Sequence, residues 1–253
     1  NVPNEKVLVD KICALEGAED GLVFSSGMGA IFTTLLGLLS PGDHAIFQND
    51  LYGGTHYAIT SELTRMGIHY TFIDQVDLQS LENARHEKTK LVYIETPSNP
   101  LLNIIDMELV GDWAVKHGII SCIDNTFASP VNQNPIAHGI DLVMHSATKY
   151  LGGHSDLSAG AVVSSARIIE PIRHAAVNMG AVLNAQVCHL LERSIKTLTV
   201  RVRQQNENAM AVAEFLKGLD RIDKVYYPGL SSHPGHDLAK KQMHGFGAML
   251  SFE

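Results

Sequence analysis

Short apolar, β-branched runs alternate along the chain with longer segments in which apolar residues return every three or four positions. Runs of the first kind at 22–24, 44–47, 69–73, 91–94, 119–123, 141–144 and 161–163 read as strands. Segments of the second kind at 30–39, 57–66, 78–85 and 107–117 read as helices. Strand and helix in turn predict βαβ units, hence an α/β fold with a mainly parallel sheet covered by helices. A longer helical pattern covers 186–216, Tyr226-Tyr227-Pro228-Gly229 marks a turn, and 249–252 reads as one more strand. The expected organisation is a large domain over 1–200 and the beginning of a smaller C-terminal α/β domain over 201–253.

In open α/β sheets, ligands collect beyond the carboxyl ends of the strands. Here those ends are rich in polar residues. After 22–24 comes Ser25-Ser26-Gly27-Met28-Gly29, opening a helix whose free N–H groups suit a phosphate. Asp50-Leu51-Tyr52-Gly53-Gly54-Thr55 follows 44–47, and Glu95-Thr96-Pro97-Ser98-Asn99-Pro100 follows 91–94. Asp124-Asn125-Thr126 follows 119–123, and Ser146-Ala147-Thr148-Lys149 follows 141–144.

Each fragment also has an ordinary reading. The glycines at 27 and 29 serve any strand-to-helix turn; a dinucleotide fingerprint would need glycine where Phe32 stands, and the lysine of a phosphate-binding P-loop is missing. Asp124 is a plausible cap, Tyr52 a packing residue and Asn99 a turn residue before proline. Lys149 alone would be a solvated ammonium with a pKa of about 10.4. A Schiff-base lysine needs partial desolvation or neighbouring cations and hydroxyls, and Ser146 and Thr148 supply the hydroxyls.

Composition narrows the classes. With 253 residues, 45% of them hydrophobic, the chain can bury a large core. A net charge of −8, from 19 Lys and Arg against 27 Asp and Glu, leaves nothing to build a nucleic-acid groove. No apolar stretch reaches the roughly 18 residues of a membrane span, and no basic-then-apolar leader opens the sequence. Cys13, Cys122 and Cys188 are odd in number and far apart, which predicts reduced thiols and a cytoplasmic protein. His233 and His236 lack supporting carboxylates or thiolates, so no metal site is expected.

Taken together, the strand ends supply what pyridoxal 5'-phosphate requires: an amine for its aldehyde, a carboxylate for its ring nitrogen, a flat neighbour and an anion cradle. The ordered set ALEGAEDGLVFSSGMGA, DLYGGT, ETPSNP, DNTFASP, SATKYLGGHSDLSAGAVV, IKTL and YYPGLSSHPGHDLAKKQMHGFGAMLSFE resembles the Cys/Met metabolism (trans-sulfuration) pyridoxal-phosphate enzymes almost from end to end. That family includes cystathionine γ-synthase, γ-lyase and β-lyase, methionine γ-lyase and O-acetylhomoserine sulfhydrylase. The resemblance implies the PLP-dependent transferase fold type I, aspartate aminotransferase-like, usually as a homotetramer of catalytic dimers.

It implies roles as well. Lys149 would form the internal aldimine, Asp124 would pair with the pyridinium nitrogen and Tyr52 would stack on the ring and exchange protons. Gly27 and Met28 N–H groups, with the Ser146 and Thr148 hydroxyls, would hold the phosphate. Asn99 would face the phenolic oxygen or the substrate carboxylate, and Glu95 and Thr126 would support the others.

The implied activity is γ-elimination or γ-replacement on cystathionine or a homoserine-derived substrate. Methionine γ-lyase and cystathionine β-lyase are the alternatives, and Gly54, where methionine γ-lyases typically carry cysteine, speaks against methionine as main substrate. From other classes, a nicotinamide oxidoreductase is disfavoured by Phe32, and a non-catalytic subunit of the same fold requires natural absence of two motifs. Those are a Tyr-x-Arg motif expected before Asn1 and a substrate-binding arginine expected after Glu253. Asn1-Val2-Pro3-Asn4 also departs from the family's usual Asn-Pro-Thr, so a truncated or partial enzyme is expected.

Overall fold

The computed structural model describes residues 3–253. Among them, β1 (Asp20–Phe24), β2 (His44–Gln48), β3 (His69–Ile73), β4 (Thr89–Glu95), β5 (Ile120–Asp124), β6 (Leu142–His145) and β7 (Gly160–Ser164) form one sheet in the order β1-β7-β6-β5-β4-β2-β3. Pairings from β6 through β3 are parallel, whereas β7 runs antiparallel to both β6 and β1. A parallel return usually runs through a crossover helix. Residues 146–159, between β6 and β7, contain no helix, and β7 comes back antiparallel in a sheet that is, as expected, mainly parallel.

Ten helices connect and cover the strands among the described residues: α1 (Pro3–Glu16), α2 (Gly27–Leu38), α3 (Gly53–Tyr57), α4 (Leu78–Ala84), α5 (Met107–His117), α6 (Ser129–Asn132), α7 (Ala166–Met179), α8 (Ala185–Ile195), α9 (Leu198–Lys217) and α10 (His236–Gln242). The segment 57–66, expected as one regular helix, is instead the end of α3 running into a π-helical stretch, Ala58–Leu63. The pattern at 186–216 is two helices. Thr197 interrupts it, donating its hydroxyl to the Ser194 carbonyl at 3.1 Å.

Successive strand residues point to opposite faces, and the sheet is apolar on both. Val92, Ile94, Ile123 and Val143 pack with α1, α5 and α8, while Leu91, Tyr93, Cys122 and Met144 pack with α2 and α7. Each fully buried aliphatic side chain contributes roughly 1.5–3 kcal/mol. Helix α2 lies so close to α7 that a Cβ on Gly37 would sit 2.8 Å from the Ile172 Cα, which leaves room only for glycine.

A separate small core joins Ala209 and Ala213 of α9 to Val225, Tyr227 and Leu230. Above it, β8 (Val225–Tyr226) pairs antiparallel with β9 (Ser251–Phe252), so Tyr226, expected in a turn, ends a strand and the strand expected at 249–252 is confined to its last two residues. Residue 200 lies inside α9. No described helix is long and apolar enough to cross a membrane.

Candidate active site at the carboxyl edge of the sheet

Five strands bring their carboxyl ends to one edge, and the loops leaving them enclose a cleft of about 220 Å³. All nine residues singled out from the sequence line it: Gly27, Met28, Tyr52, Asn99, Asp124, Thr126, Ser146, Thr148 and Lys149. Ser26, Ile31, Glu95 and Phe127 complete the lining. Ile31 and Phe127 had drawn no role, because an apolar residue near a strand end looks like any core residue in sequence.

The start of α2 is built as an anion cradle. Ser26 caps the helix, its hydroxyl accepting from the Gly29 N–H at 3.0 Å. The first N–H groups of a helix have no intrahelical acceptor, so those of Gly27 and Met28 point outward with the positive end of the helix dipole. A Cβ on Gly27 would lie 2.9 Å from both Cβ and Oγ of Ser146, so glycine is what lets the helix meet that serine. Ser146 is fixed in turn by its N–H, which donates to the Thr126 hydroxyl at 2.7 Å. Thr148 lines the cleft too, but its hydroxyl already donates to the Ala159 carbonyl at 3.1 Å and accepts from the Ala159 N–H at 3.0 Å.

Asp124 ends β5 with 8% of its surface exposed. The Thr126 N–H donates to its Oδ1 at 3.0 Å, and among the described residues no Lys, Arg or His forms an ion pair with it. Burial pushes its carboxyl up, against the opposing pull of the Thr126 hydrogen bonds and the nearby His145. Glu95, its partner across β4 and β5, is also buried and is raised to about 8, first by burial and then by the Asp124 charge.

Glu95 ties two loops together. Its Oε2 accepts from the Tyr52 N–H at 2.9 Å and its Oε1 from the Asn99 N–H at 3.1 Å. Asp50 adds a second tie, accepting from the Asn103 amide at 2.8 Å and from the Ser98 hydroxyl. The peptide bonds before Pro97 and Pro100 in the Asn99 loop are both cis. Tyr52 is 49% exposed and its ring rests on Gly54, where a Cβ would fall 2.6 Å from the Tyr52 Cε1 and 3.0 Å from the Met28 sulfur.

Lys149 reaches the cleft from the turn after β6, with its N–H bonded to the Ser146 carbonyl at 3.0 Å. The sequence suggested a partly desolvated lysine. The residue is instead exposed.

One position beyond the cleft-facing residues, the same strand ends carry a polar network that sequence reasoning missed. Asn125 donates to Glu16 Oε1 at 2.9 Å, and His145 Nε2 lies 2.5 Å from the same oxygen. Gln133 donates to the Thr96 carbonyl at 2.9 Å and to Asn125 Oδ1 at 3.0 Å. All five side chains are buried on the α1 side of the sheet, behind Asp124. Their signal in sequence was no more than polar residues next to apolar runs.

The family model for Cys/Met metabolism PLP-dependent enzymes matches residues 1–253. A cystathionine beta-lyase of Lactococcus lactis subsp. cremoris is 47% identical over 99% of this chain, which spans 66% of that relative's length. A cystathionine gamma-lyase of Bacillus subtilis is 45% identical, again over 99% of this chain and 66% of its own. The crystal structure of a cystathionine gamma-lyase from Lactobacillus plantarum complexed with L-serine matches with a TM-score of 0.96 at 42% identity, covering 100% of this chain and 66% of that one.

Proposed function

Because the chain belongs to the family of Cys/Met metabolism PLP-dependent enzymes, we propose that it acts as a carbon–sulfur lyase or transferase of sulfur amino-acid metabolism, with pyridoxal 5'-phosphate held in the strand-end cleft. The observation that carries this reading is the convergence of Lys149, Asp124 and the α2 N-terminus on one cleft. Its substrate is cystathionine or a homoserine derivative, and its reaction γ-elimination or γ-replacement.

The residues present fit the cofactor. A buried carboxyl without a cationic partner suits a protonated ring nitrogen, and the glycine contact between α2 and Ser146 suits a phosphate. When bound, pyridoxal phosphate supplies an aldehyde that captures amines and a ring that withdraws electrons from the adjoining carbon. Lys149 Nζ would hold that aldehyde and, once displaced by the substrate amine, take the substrate's α-proton and pass a proton to or from the β-carbon. Asp124 would be ionised by a cation at the cleft floor and would keep that cation protonated.

Gly27 and Met28 N–H groups and the Ser146 hydroxyl would hold the phosphate; Thr148 joins them only by releasing Ala159. Tyr52 would lie against the ring and exchange protons at the substrate nitrogen or the leaving group. Asn99 would face the phenolic oxygen or the substrate carboxylate, with Thr126 holding Ser146 and Asp124 in place.

Relatives named cystathionine beta-lyase and cystathionine gamma-lyase are 47% and 45% identical, and β-elimination is the second reading. Gly54 supports a substrate other than methionine. We further propose that the residues from 201 onward begin a second domain, a reading supported by the separate core around Tyr227. Self-association into dimers or tetramers is supported by the exposed Tyr57, Val177 and Val182, and a reducing, cytoplasmic setting by three buried free thiols.

The test is to add pyridoxal phosphate and divide the sample: one portion is reduced with borohydride and the cofactor located by peptide mass spectrometry, and the other, left unreduced, is supplied with L-cystathionine. Attachment at Lys149, lost in Lys149→Ala, with 2-oxobutanoate formed, is the expected result. Pyruvate would move the reaction to β-elimination. No attachment in the unmodified protein would overturn the reading.

A further inference from the structure

We propose that Arg201, outside the cleft, is a positioning residue that holds the turn from which Lys149 projects. The inference rests on the assignment of Lys149 above. The turn closes on itself through backbone bonds: Gly152 N–H to the Ala147 carbonyl and Gly153 N–H to the Lys149 carbonyl, both 2.7 Å. Before Lys149 the turn is tied through Thr148, whose N–H and hydroxyl bond to Ala159, and Leu151 packs into the main core; the carbonyl directly after Lys149 is held by Arg201. From the first turn of α9, its Nη1 donates to the Tyr150 carbonyl at 2.9 Å, its Nη2 to the Ser194 carbonyl at 3.2 Å and its Nε to the Thr197 hydroxyl at 3.1 Å.

Two of those acceptors belong to the corner between α8 and α9, where a cation suits the negative end of α8. Capping α8 would account for them and for nothing else. The Tyr150 bond is different, since it joins that corner to the residue after Lys149. The guanidinium also lies flat against Gly153: a Cβ there would be 1.9 Å from Nη1 and 2.2 Å from Cζ. Gly153 has φ +72° and no side chain, which admits both the turn and the arginine. No carboxylate pairs with Arg201 among the described residues, and desolvation pulls its pKa down. A partly buried cation spending its donors on three neutral acceptors is suited to fixing geometry rather than to forming an ion pair.

Lysine could not replace it, because a single ammonium cannot span three acceptors set at the angles of a planar fork. The α8–α9 corner thus sets how far Lys149 reaches, and α9 carries that constraint on towards the core around Tyr227.

The experiment compares the unmodified protein with Arg201→Met, Arg201→Ala, Arg201→Lys and Gly153→Ala. The last displaces the guanidinium while keeping the arginine but also strains the turn itself at φ +72°, so Arg201→Lys is the variant that serves if Arg201→Met does not fold. Two quantities are read: amide hydrogen exchange across 147–153, without cofactor, and affinity for pyridoxal phosphate. Faster exchange confined to that turn, with affinity weakened about tenfold or more, is expected for Arg201→Met and Gly153→Ala, and at least partly for Arg201→Lys. Added ethylguanidinium should slow the exchange again in Arg201→Ala. Exchange in the turn equal to that of the unmodified protein, or raised equally across α2 and the sheet, would overturn the proposal. If the unmodified protein takes up no pyridoxal phosphate, the functional reading fails by itself and exchange alone decides the role of Arg201.

Discussion

Glu95 and Asp124 stand side by side at the carboxyl ends of β4 and β5, two buried carboxyls in register at the floor of one cleft. Like charges so placed oppose each other's ionisation. A cation arriving between them relieves the conflict, so the pair disfavours the empty cleft and favours a filled one.

Without cofactor, the stability of the fold depends on pH through this pair. Glu95 is raised to about 8, so its folded state holds a proton that the unfolded chain has released. A raised carboxyl contributes stability below its unfolded pKa, and that contribution is lost as pH rises towards the folded value. Thermal midpoints of cofactor-free protein should fall between about pH 6.5 and 8, and Glu95→Gln should flatten the slope. An equal slope in the variant would show that other groups set it. Pyridoxal phosphate should flatten it too, by holding the carboxyls ionised.

His44 works in the opposite sense at the far edge of the sheet. Its ring bridges Thr89 and Thr71, each at 2.9 Å, and burial, helped by His86 and His69, lowers it to about 4. The unfolded histidine takes up a proton near pH 6.5 while the folded one does not, so stability is complete above that pH and falls as pH drops towards 4. The loss should approach about 3 kcal/mol at most, read as the difference between unmodified protein and His44→Asn in denaturant melts across that window. Parallel curves for the two proteins would count against it.

Asp124→Asn should separate stability from function. Removing one of two adjacent buried carboxyls relieves repulsion, so the cofactor-free variant should melt no lower than the unmodified protein. Turnover should nevertheless fall by about a hundredfold or more, as when an oriented electrostatic group is lost from an active site. Melting and turnover falling together would make Asp124 a structural residue.

Much of this was legible in sequence. Strands buried on both faces appear as continuous apolar runs; the seven strands of the large sheet are legible to within two residues, and the polar segments after five of them supply the cleft lining. Helices were less visible. Pro171 inside α7 reads as a breaker, and α1 buries only Leu8, Ile12, Cys13 and Glu16. The hidden part of the site has the same origin as the visible part: with a period of two, Asp124 faces the cleft and Asn125 faces away, towards a Glu16 that is 109 positions distant. Sequence spacing carries no mark of such a partner.

Substitution of Gly27 distinguishes a phosphate held at the start of α2 from one held elsewhere. A methyl group there would sit 2.9 Å from the Ser146 Cβ and Oγ, so either the serine or the helix start must move. Overpacking of this kind costs about 1–3 kcal/mol, part of it as stability and part as a displaced cradle. The two parts can be told apart with paired ligands. In Gly27→Ala, affinity for pyridoxal phosphate should fall about tenfold or more, while affinity for pyridoxal, which has the same aldehyde and ring but no phosphate, should stay near that of the unmodified protein. Inorganic phosphate should compete with pyridoxal phosphate only weakly in the variant. Equal losses for both ligands would mean that Gly27 shapes the whole cleft and that the anion is held elsewhere.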